Sequence, residues 1–253
     1  NIKSHHKGSI ILIGNFDGLH LGHKSVIELA RHKSQAGQFG VLTFDPHPRE
    51  FFFPQAQSFR LMSNITKQLT LENLNLDVLL EVPFTKDISL LEPTEFIKKI
   101  LSDYFKINHI VIGEDFKFGY KRSGDAQLLK KLGLSFGIMV TIAPLIKSNI
   151  IDISSTAVRE ALKNGNPQKA SEMLGEWYSI IGTVIEGDKR GRTLGFPTIN
   201  LDLSGLHLPK FGVYSAVTKI LTGRHQGSYP AAVSIGERPT YGKNKPILID
   251  IIN

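Results

Sequence analysis

Two histidines three residues apart, His20 and His23, close the stretch IILIGNFDGLHLGH that spans residues 10–23. Ile10 to Ile13 read as a buried strand, Gly14 to Gly18 turn the chain, and a helix is expected from His20 with Gly22 in its first turn. A spacing of three sets both imidazoles on one helical face. Helix N-termini attract anions, and a glycine there permits close approach, so the chemistry this suits is phosphate binding. The plainer alternative is a surface helix with two ordinary histidines. A second segment of the same kind is Ile153-Ser-Ser-Thr-Ala-Val-Arg159. Ser154 or Ser155 can cap a helix and leave its free N–H groups facing an anion. Arg159, four residues past Ser155, returns to that face and can hold a phosphate through two donors. Its plainer reading is an ordinary cap with a solvated arginine.

Two further segments follow apolar runs. Thr43-Phe44-Asp45-Pro46-His47-Pro48 comes after the second, and Gly113-Glu114-Asp115-Phe116-Lys117-Phe118-Gly119 after the fourth. Asp115 with Phe116 and Phe118 suggests a flat apolar slot with one carboxylate to orient a polar ring edge, and Phe44 with its Pro-His-Pro turn could supply the opposite wall. Core aromatics beside a turn are the alternative. Gly119-Tyr-Lys-Arg-Ser-Gly124 has the glycine spacing of a P-loop but continues with Asp125 in place of Lys-Ser/Thr, so a P-loop is rejected. There is no HExxH and no cysteine-based metal spacing, which leaves Mg²⁺ held largely by substrate phosphates as the expected metal.

These segments need a scaffold, and the hydrophobic pattern supplies one. Strands are expected near 9–13, 39–44, 77–82, 109–113 and 137–142, with helices starting near His20, Asn64, Pro93, Asp125 and Ser155. In PTEFIKKILSDYF, Phe96, Ile97, Ile100, Leu101 and Phe105 repeat at helical spacing behind Pro93. Such alternation predicts an α/β fold, a doubly wound parallel sheet whose ligands gather at the carboxyl ends of the strands. After a helical stretch near Gln168 to Trp177 the texture changes. YSIIGTVIEG, FPTINLDL, GVYSAVTKIL and YPAAVSIG read as short strands of an antiparallel β-barrel beginning near Tyr178. The expected domains are therefore 1–175 and 178–253.

Composition narrows the class. Of 253 residues 41% are hydrophobic and 21% charged, ordinary values for a folded globular chain. No run approaches a membrane span, no leader opens the chain, and there is no cysteine, which together fit a cytoplasmic protein without a membrane partner. The net charge of +7 raises nucleic acid as a partner. The basic residues are dispersed, however, apart from Lys121-Arg122 and Lys189-Arg190-Arg192 in glycine-containing loops, a pattern better matched to small phosphorylated ligands. Oligomeric state is not legible.

The pattern GxFDxxHxGH resembles the nucleotidyltransferase superfamily, which moves a nucleoside monophosphate from a triphosphate to a phosphate-bearing acceptor. With the TFDPHP, GEDFKFG and ISSTAVR segments and GDKRGRTLGFPTIN at 187–200, the chain resembles the prokaryotic bifunctional riboflavin kinase / FAD synthetase family over almost its whole length. The resemblance implies adenylyl transfer from ATP to FMN in the first domain and ATP-dependent phosphorylation of riboflavin in the second, with ATP, FMN, FAD and riboflavin as its small-molecule substrates and products. It implies catalytic roles for His20, His23 and Arg159, and an ATP site that also includes Gly14, Phe16, Asp17, Gly22, Ser155 and Thr156. It implies a flavin site at Phe44, Asp115 and Phe116. For the kinase it implies an ATP–Mg²⁺ site at Gly187, Lys189, Gly191, Thr198 and Asn200, with Thr198 as the metal ligand. The family places its kinase base, a glutamate, on a strand just after the stretch that resembles SIGERPTYG. Here that region reads KNKPILIDIIN, and Asp250 is its only carboxylate. The chain begins at Asn1 and stops at Asn253 after an apolar run, so the expectation is a whole adenylyltransferase half and a kinase half that is either cut short or defective, with its kinase activity in doubt. The rivals are transfer to another acceptor such as pantetheine phosphate, and a non-catalytic module that binds flavin or nucleic acid.

Overall fold

A computed structural model describes residues 9–34, 38–55, 59–144, 153–185, 198–201, 203, 205–236 and 247–251. These fall into two units. One comprises Asn1–Ala56, Asn64–Ser155 and Met173–Gly175, the other Gln57–Ser63, Thr156–Glu172 and Glu176–Asn253.

The first unit is built on five parallel strands: β1 (Ile10–Ile13), β2 (Phe39–Asp45), β3 (Val78–Pro83), β4 (His109–Gly113) and β7 (Met139–Ala143). Their order across the sheet is β3-β2-β1-β4-β7. All four residues of β1 are buried, which suits a central strand covered on both faces. It pairs with β2 from Ile10 opposite Phe39 and with β4 from Ile10 opposite His109. Gly40 lets β2 approach β3, because a Cβ there would lie 2.4 Å from the Val78 carbonyl oxygen. Crossover helices α1 (Leu21–Ser34), α3 (Asn64–Asn73) and α6 (Ala126–Ser135) begin where the sequence places them, α6 with Asp125 as its N-cap accepting from the Leu128 N–H.

Three short features were not expected: helices α2 (Pro48–Phe52) and α4 (Lys86–Ser89), and a two-stranded ribbon of β5 (Lys117–Phe118) and β6 (Gly124–Asp125). The Pro93 helix also departs from expectation. It is α-helical as α5 over Pro93–Phe96 and then widens to a π-turn over Ile97–Tyr104, with the Phe105 N–H donating to the Ile100 carbonyl five residues back. The apolar residues lie at 96/97, 100/101 and 105, four or five apart, which is the step of that wider turn. Phe96, Ile97 and Leu101 are buried there against Ile110, Ile112, Phe118 and Leu129.

The second unit contains most of α7 (Ser155–Lys163) and α8 (Pro167–Leu174) and an antiparallel sheet. Its strands are β8 (Val184–Ile185), β9 (Thr198–Leu201), β10 (Gly212–Ile220), β11 (Gly227–Ile235) and β12 (Ile247–Ile251), in the order β10-β11-β12-β9-β8. Leu201, Leu203, Leu206, Ala231 and Ile235 form its buried cluster. The Tyr178 hydroxyl donates toward the carbonyls of Leu61 and His207. The change from parallel α/β to antiparallel β is the one expected. Strand β12 is an addition to the four β-rich runs expected.

Candidate active site

In a sheet of order β3-β2-β1-β4-β7 the chain runs outward to one side through β2 and β3 and then returns to β4 on the other side of β1. The crevice beyond the carboxyl ends of β1 and β4 is therefore the topological switch point, where such sheets bind ligands. The loop after β1 carries GNFDGLH, and the loop after β4 carries Glu114, Asp115 and Phe116.

The β1 loop is tightly specified. Phe16 and Leu19 adopt positive φ, at 50° and 43°, although neither is glycine, and both side chains are buried. Burial over-determines the strained backbone, a pattern common where a loop must present side chains precisely placed for ligands. His20 and Asp17 are buried as well. The His20 ring stacks on the His23 ring with centroids 3.8 Å apart, and Phe16 tilts against His23 at 5.2 Å. The His23 backbone N–H donates to His20 Nδ1 at 3.3 Å, so a neutral His20 keeps its proton on Nε2. Gly22 has a local purpose: a Cβ there would meet the His20 ring at 3.0 Å. The glycine makes room for the histidine ring itself.

His23 Nδ1 is buried and has no hydrogen-bond partner among the described residues. Burial, the neighbouring His20 and then the charge of Lys67 hold the His23 imidazole well below the ordinary histidine pKa, so it is neutral at pH 7. An enclosed nitrogen without a partner is costly unless something else satisfies it, and a bound ligand can do so.

The segment 153–159 divides between the two units. Ser155 is the first residue of α7, and its hydroxyl donates to the Asp17 carbonyl at 2.7 Å instead of capping its own helix. That bond ties the start of α7 to the histidine loop. Thr156 is exposed. Arg159 stands in the second unit, where its Nε–H donates to the Phe59 carbonyl at 2.7 Å and its guanidinium lies 5.2 Å over the Phe59 ring. His207 Nε2 lies 3.0 Å from the Arg159 carbonyl oxygen.

The candidate flavin residues are linked by a run of rings. Phe44 lies 6.3 Å from Phe96, Phe96 lies 5.7 Å from Phe118, and Phe118 stacks on Phe116 at 5.7 Å. Phe44 and Phe116 are half-buried at the margin of the core, and Asp115 is exposed. Phe118 is a core side chain, only 7% exposed, so the plainer reading holds for it. Its ring fills the space a Cβ on Gly124 would need, at 2.6 Å.

Lys67 belongs to none of the sequence motifs. This lysine of α3 is 4% exposed, and its Nζ lies 3.5 Å from Thr43 Oγ1, which in turn donates to the Asn15 carbonyl in the histidine loop. The available signal was its place four residues before buried Leu71, which puts a cation on the inward face of α3.

In the second unit Gly187, Lys189 and Gly191 lie outside the described residues. The ladder places Thr198 directly opposite Asp250, and Asn200 opposite Leu248. Directly opposed residues share a face, and alternate positions repeat it, so 198, 200 and 250 fall on one face of β9 and β12. Asp250 also pairs with Ala232 of β11. The register that sequence alone left open is thereby fixed.

Comparison with known proteins supplies the context. A family model described as FAD synthetase matches residues 2–157, and one described as riboflavin kinase matches residues 174–251. The chain belongs to the FAD synthetase family. Relatives in this family named bifunctional riboflavin kinase/FMN adenylyltransferase include one from Buchnera aphidicola, 39% identical over 97% of this chain and 79% of its own length. Another, from Escherichia coli, is 34% identical over 92% of this chain and 74% of its own length. A solved structure from Streptococcus pneumoniae, described as a macrolide-efflux protein, superposes with a TM-score of 0.82 at 27% identity, covering 97% of this chain and 80% of that one. No helix among the described residues is long and apolar enough to cross a membrane.

Proposed function

We infer that the parallel-sheet half transfers the adenylyl group of ATP to FMN, releasing pyrophosphate and giving FAD, and that the antiparallel half phosphorylates riboflavin with ATP. The observation that carries the first reaction is the stacked, enclosed histidine pair with an unsatisfied nitrogen at the switch point of a FAD synthetase fold. An FMN phosphate oxygen attacks the α-phosphorus, the bond to the bridging oxygen breaks, and pyrophosphate leaves with the electron pair. No protein nucleophile is required, only alignment and charge neutralisation. His20 and His23 contact the phosphates from the loop shaped by Gly14, Phe16, Asp17 and Gly22. Ser155 presents the start of α7 to that loop, and Phe44, Asp115 and Phe116 receive the flavin; for Thr156 and Arg159 a nucleotide role is supported by the family resemblance alone.

In the second reaction the ribityl hydroxyl attacks the γ-phosphorus, ADP leaves, and the hydroxyl proton passes to a carboxylate. Asp250 takes that role in this reading, supported by its place opposite Thr198. Oxygen-bearing residues at 198, 200 and 250 on one face suit a hard cation such as Mg²⁺ entering with ATP, which would shield phosphate charge, with Gly187, Lys189 and Gly191 beside the phosphates. We place the division between the two activities at 175–178. Incubation of the chain with ATP, Mg²⁺ and either FMN or riboflavin, followed by product identification, tests both halves. FAD from FMN is expected, and FMN from riboflavin; turnover of pantetheine phosphate in place of FMN would overturn the first assignment.

A further inference from the structure

We propose that Tyr178 and His207 are positioning residues for riboflavin phosphorylation: they anchor the chain that leaves β9 and so hold Thr198 opposite Asp250. This rests on the kinase reading of the antiparallel half. Alternation along a strand excludes a one-residue slip, which turns every side chain to the other face. It does not exclude a slip of two, because residues i and i+2 share a face. Such a slip moves β9 by about 7 Å and sets Asn200 in place of Thr198 opposite Asp250. Another feature must choose between the two registers, and the segment after β9 supplies it.

Leu201, Leu203 and Leu206 are buried in one cluster. The Leu206 N–H closes a turn on the Leu203 carbonyl at 3.1 Å, so little slack separates β9 from Leu206. The residues that follow are gripped four times. The His207 N–H donates to the Arg60 carbonyl at 2.7 Å, beside a bridge between Arg60 and Leu206. His207 Nε2 lies 3.0 Å from the Arg159 carbonyl of α7; a carbonyl oxygen only accepts, so this nitrogen is the donor. The His207 carbonyl accepts from the Tyr178 hydroxyl at 3.1 Å, and the same hydroxyl lies 3.0 Å from the Leu61 carbonyl. The Lys210 N–H donates to the Leu162 carbonyl at 2.9 Å, near the end of α7. All these residues belong to the second unit. Two of the grips depend on side chains, those of His207 and Tyr178, and can be removed by substitution.

The chain has no cysteine, so its register can be read by cross-linking. Directly opposed residues lie within disulfide reach, whereas diagonal neighbours at about 7–8 Å do not. Thr198→Cys combined with Asp250→Cys should therefore form a disulfide under mild oxidation, and Asn200→Cys combined with Asp250→Cys should not. Adding His207→Ala is expected to lower the first yield by about threefold or more and to raise the second above background. Tyr178→Phe, the milder change, shifts both yields the same way by less. His207→Gln, whose side-chain amide can donate to the same carbonyl, restores the wild-type pattern. Without the added cysteines, His207→Ala lowers kcat for riboflavin phosphorylation by about tenfold, while FAD formation stays within about twofold of wild type. A merely structural histidine behaves differently: its loss lowers the melting temperature but leaves the cross-linking yields and the kcat of the folded protein unchanged. That result overturns the proposal, as does an equal fall in FAD formation. Failure of the wild-type chain to phosphorylate riboflavin would instead sink the kinase reading, and the cross-linking yields would still decide the anchor.

Discussion

The loop after β1 and the strand β9 both present residues suited to phosphate, yet the two sheets prepare them differently. In the parallel half, topology brings the loop to the switch point, and burial then fixes each side chain: Phe16 and Leu19 hold positive φ, His20 fills the space over Gly22, and Ser155 reaches back to Asp17. In the antiparallel half, alternation along the strands does the placing, and positions 198, 200 and 250 share a face through register alone. A one-residue slip would leave the first arrangement untouched and abolish the second. Placement by packing and placement by register therefore fail in different ways, and substitutions can separate them.

The largest separation is expected from His23→Ala. FAD formation should fall by about 10³-fold, in the range for loss of a preorganised phosphate contact, while riboflavin phosphorylation persists. Near-normal FAD synthesis in a product assay would remove the histidine pair from the reaction. Thr198→Ala and Asp250→Asn should each reverse that pattern, lowering riboflavin phosphorylation by about 100-fold and leaving FMN adenylylation unchanged. Equal loss in both assays would mean the two halves are not separate sites.

A finer contrast lies within the parallel half. Phe116→Ala should raise KM for FMN by about tenfold with little change in stability, since half a ring contact is lost from a marginal side chain. Phe118→Ala should instead cost about 3–5 kcal/mol of stability, read by denaturant unfolding, because its ring is in the core. If Phe116→Ala unfolds the chain as readily, the flavin slot dissolves into the core.

The smallest expected effect concerns pH. The folded-state pKa of His23 is depressed, so below the ordinary histidine value the unfolded chain takes up more protons than the folded one. Stability is full above about pH 6.5 and falls as pH drops toward the depressed value. His109, also lowered by burial and then by Lys33, acts in the same window, so His23→Asn should flatten only part of the melting-temperature slope. An unchanged slope would show that His23 is not buried in its neutral form.

Much of this architecture is legible in the amino-acid order. Runs such as IILI and IVI are apolar throughout because parallel strands are covered on both faces, and Pro93 and Asp125 mark helix starts by chemistry that needs no tertiary partner. Lys67 escaped because helix periodicity identifies an inward position but says nothing of what the interior contains there. Phe118 misled in the opposite direction: an aromatic next to a glycine turn looks the same from sequence whether it faces a ligand or Leu129. The register of Asp250 was hidden because it depends on pairing with Ala232 and Thr198, residues far away along the chain.

The hydroxyl of Ser155 and the carbonyl of Asp17 are 138 residues apart. During synthesis both histidines leave the ribosome long before the residue that anchors their loop exists. Any fragment ending short of 155 thus carries the nucleotide signature intact while lacking the fastening that holds it in place. Such fragments, made by early termination or by limited proteolysis, should grip ATP weakly however well their sheet has formed.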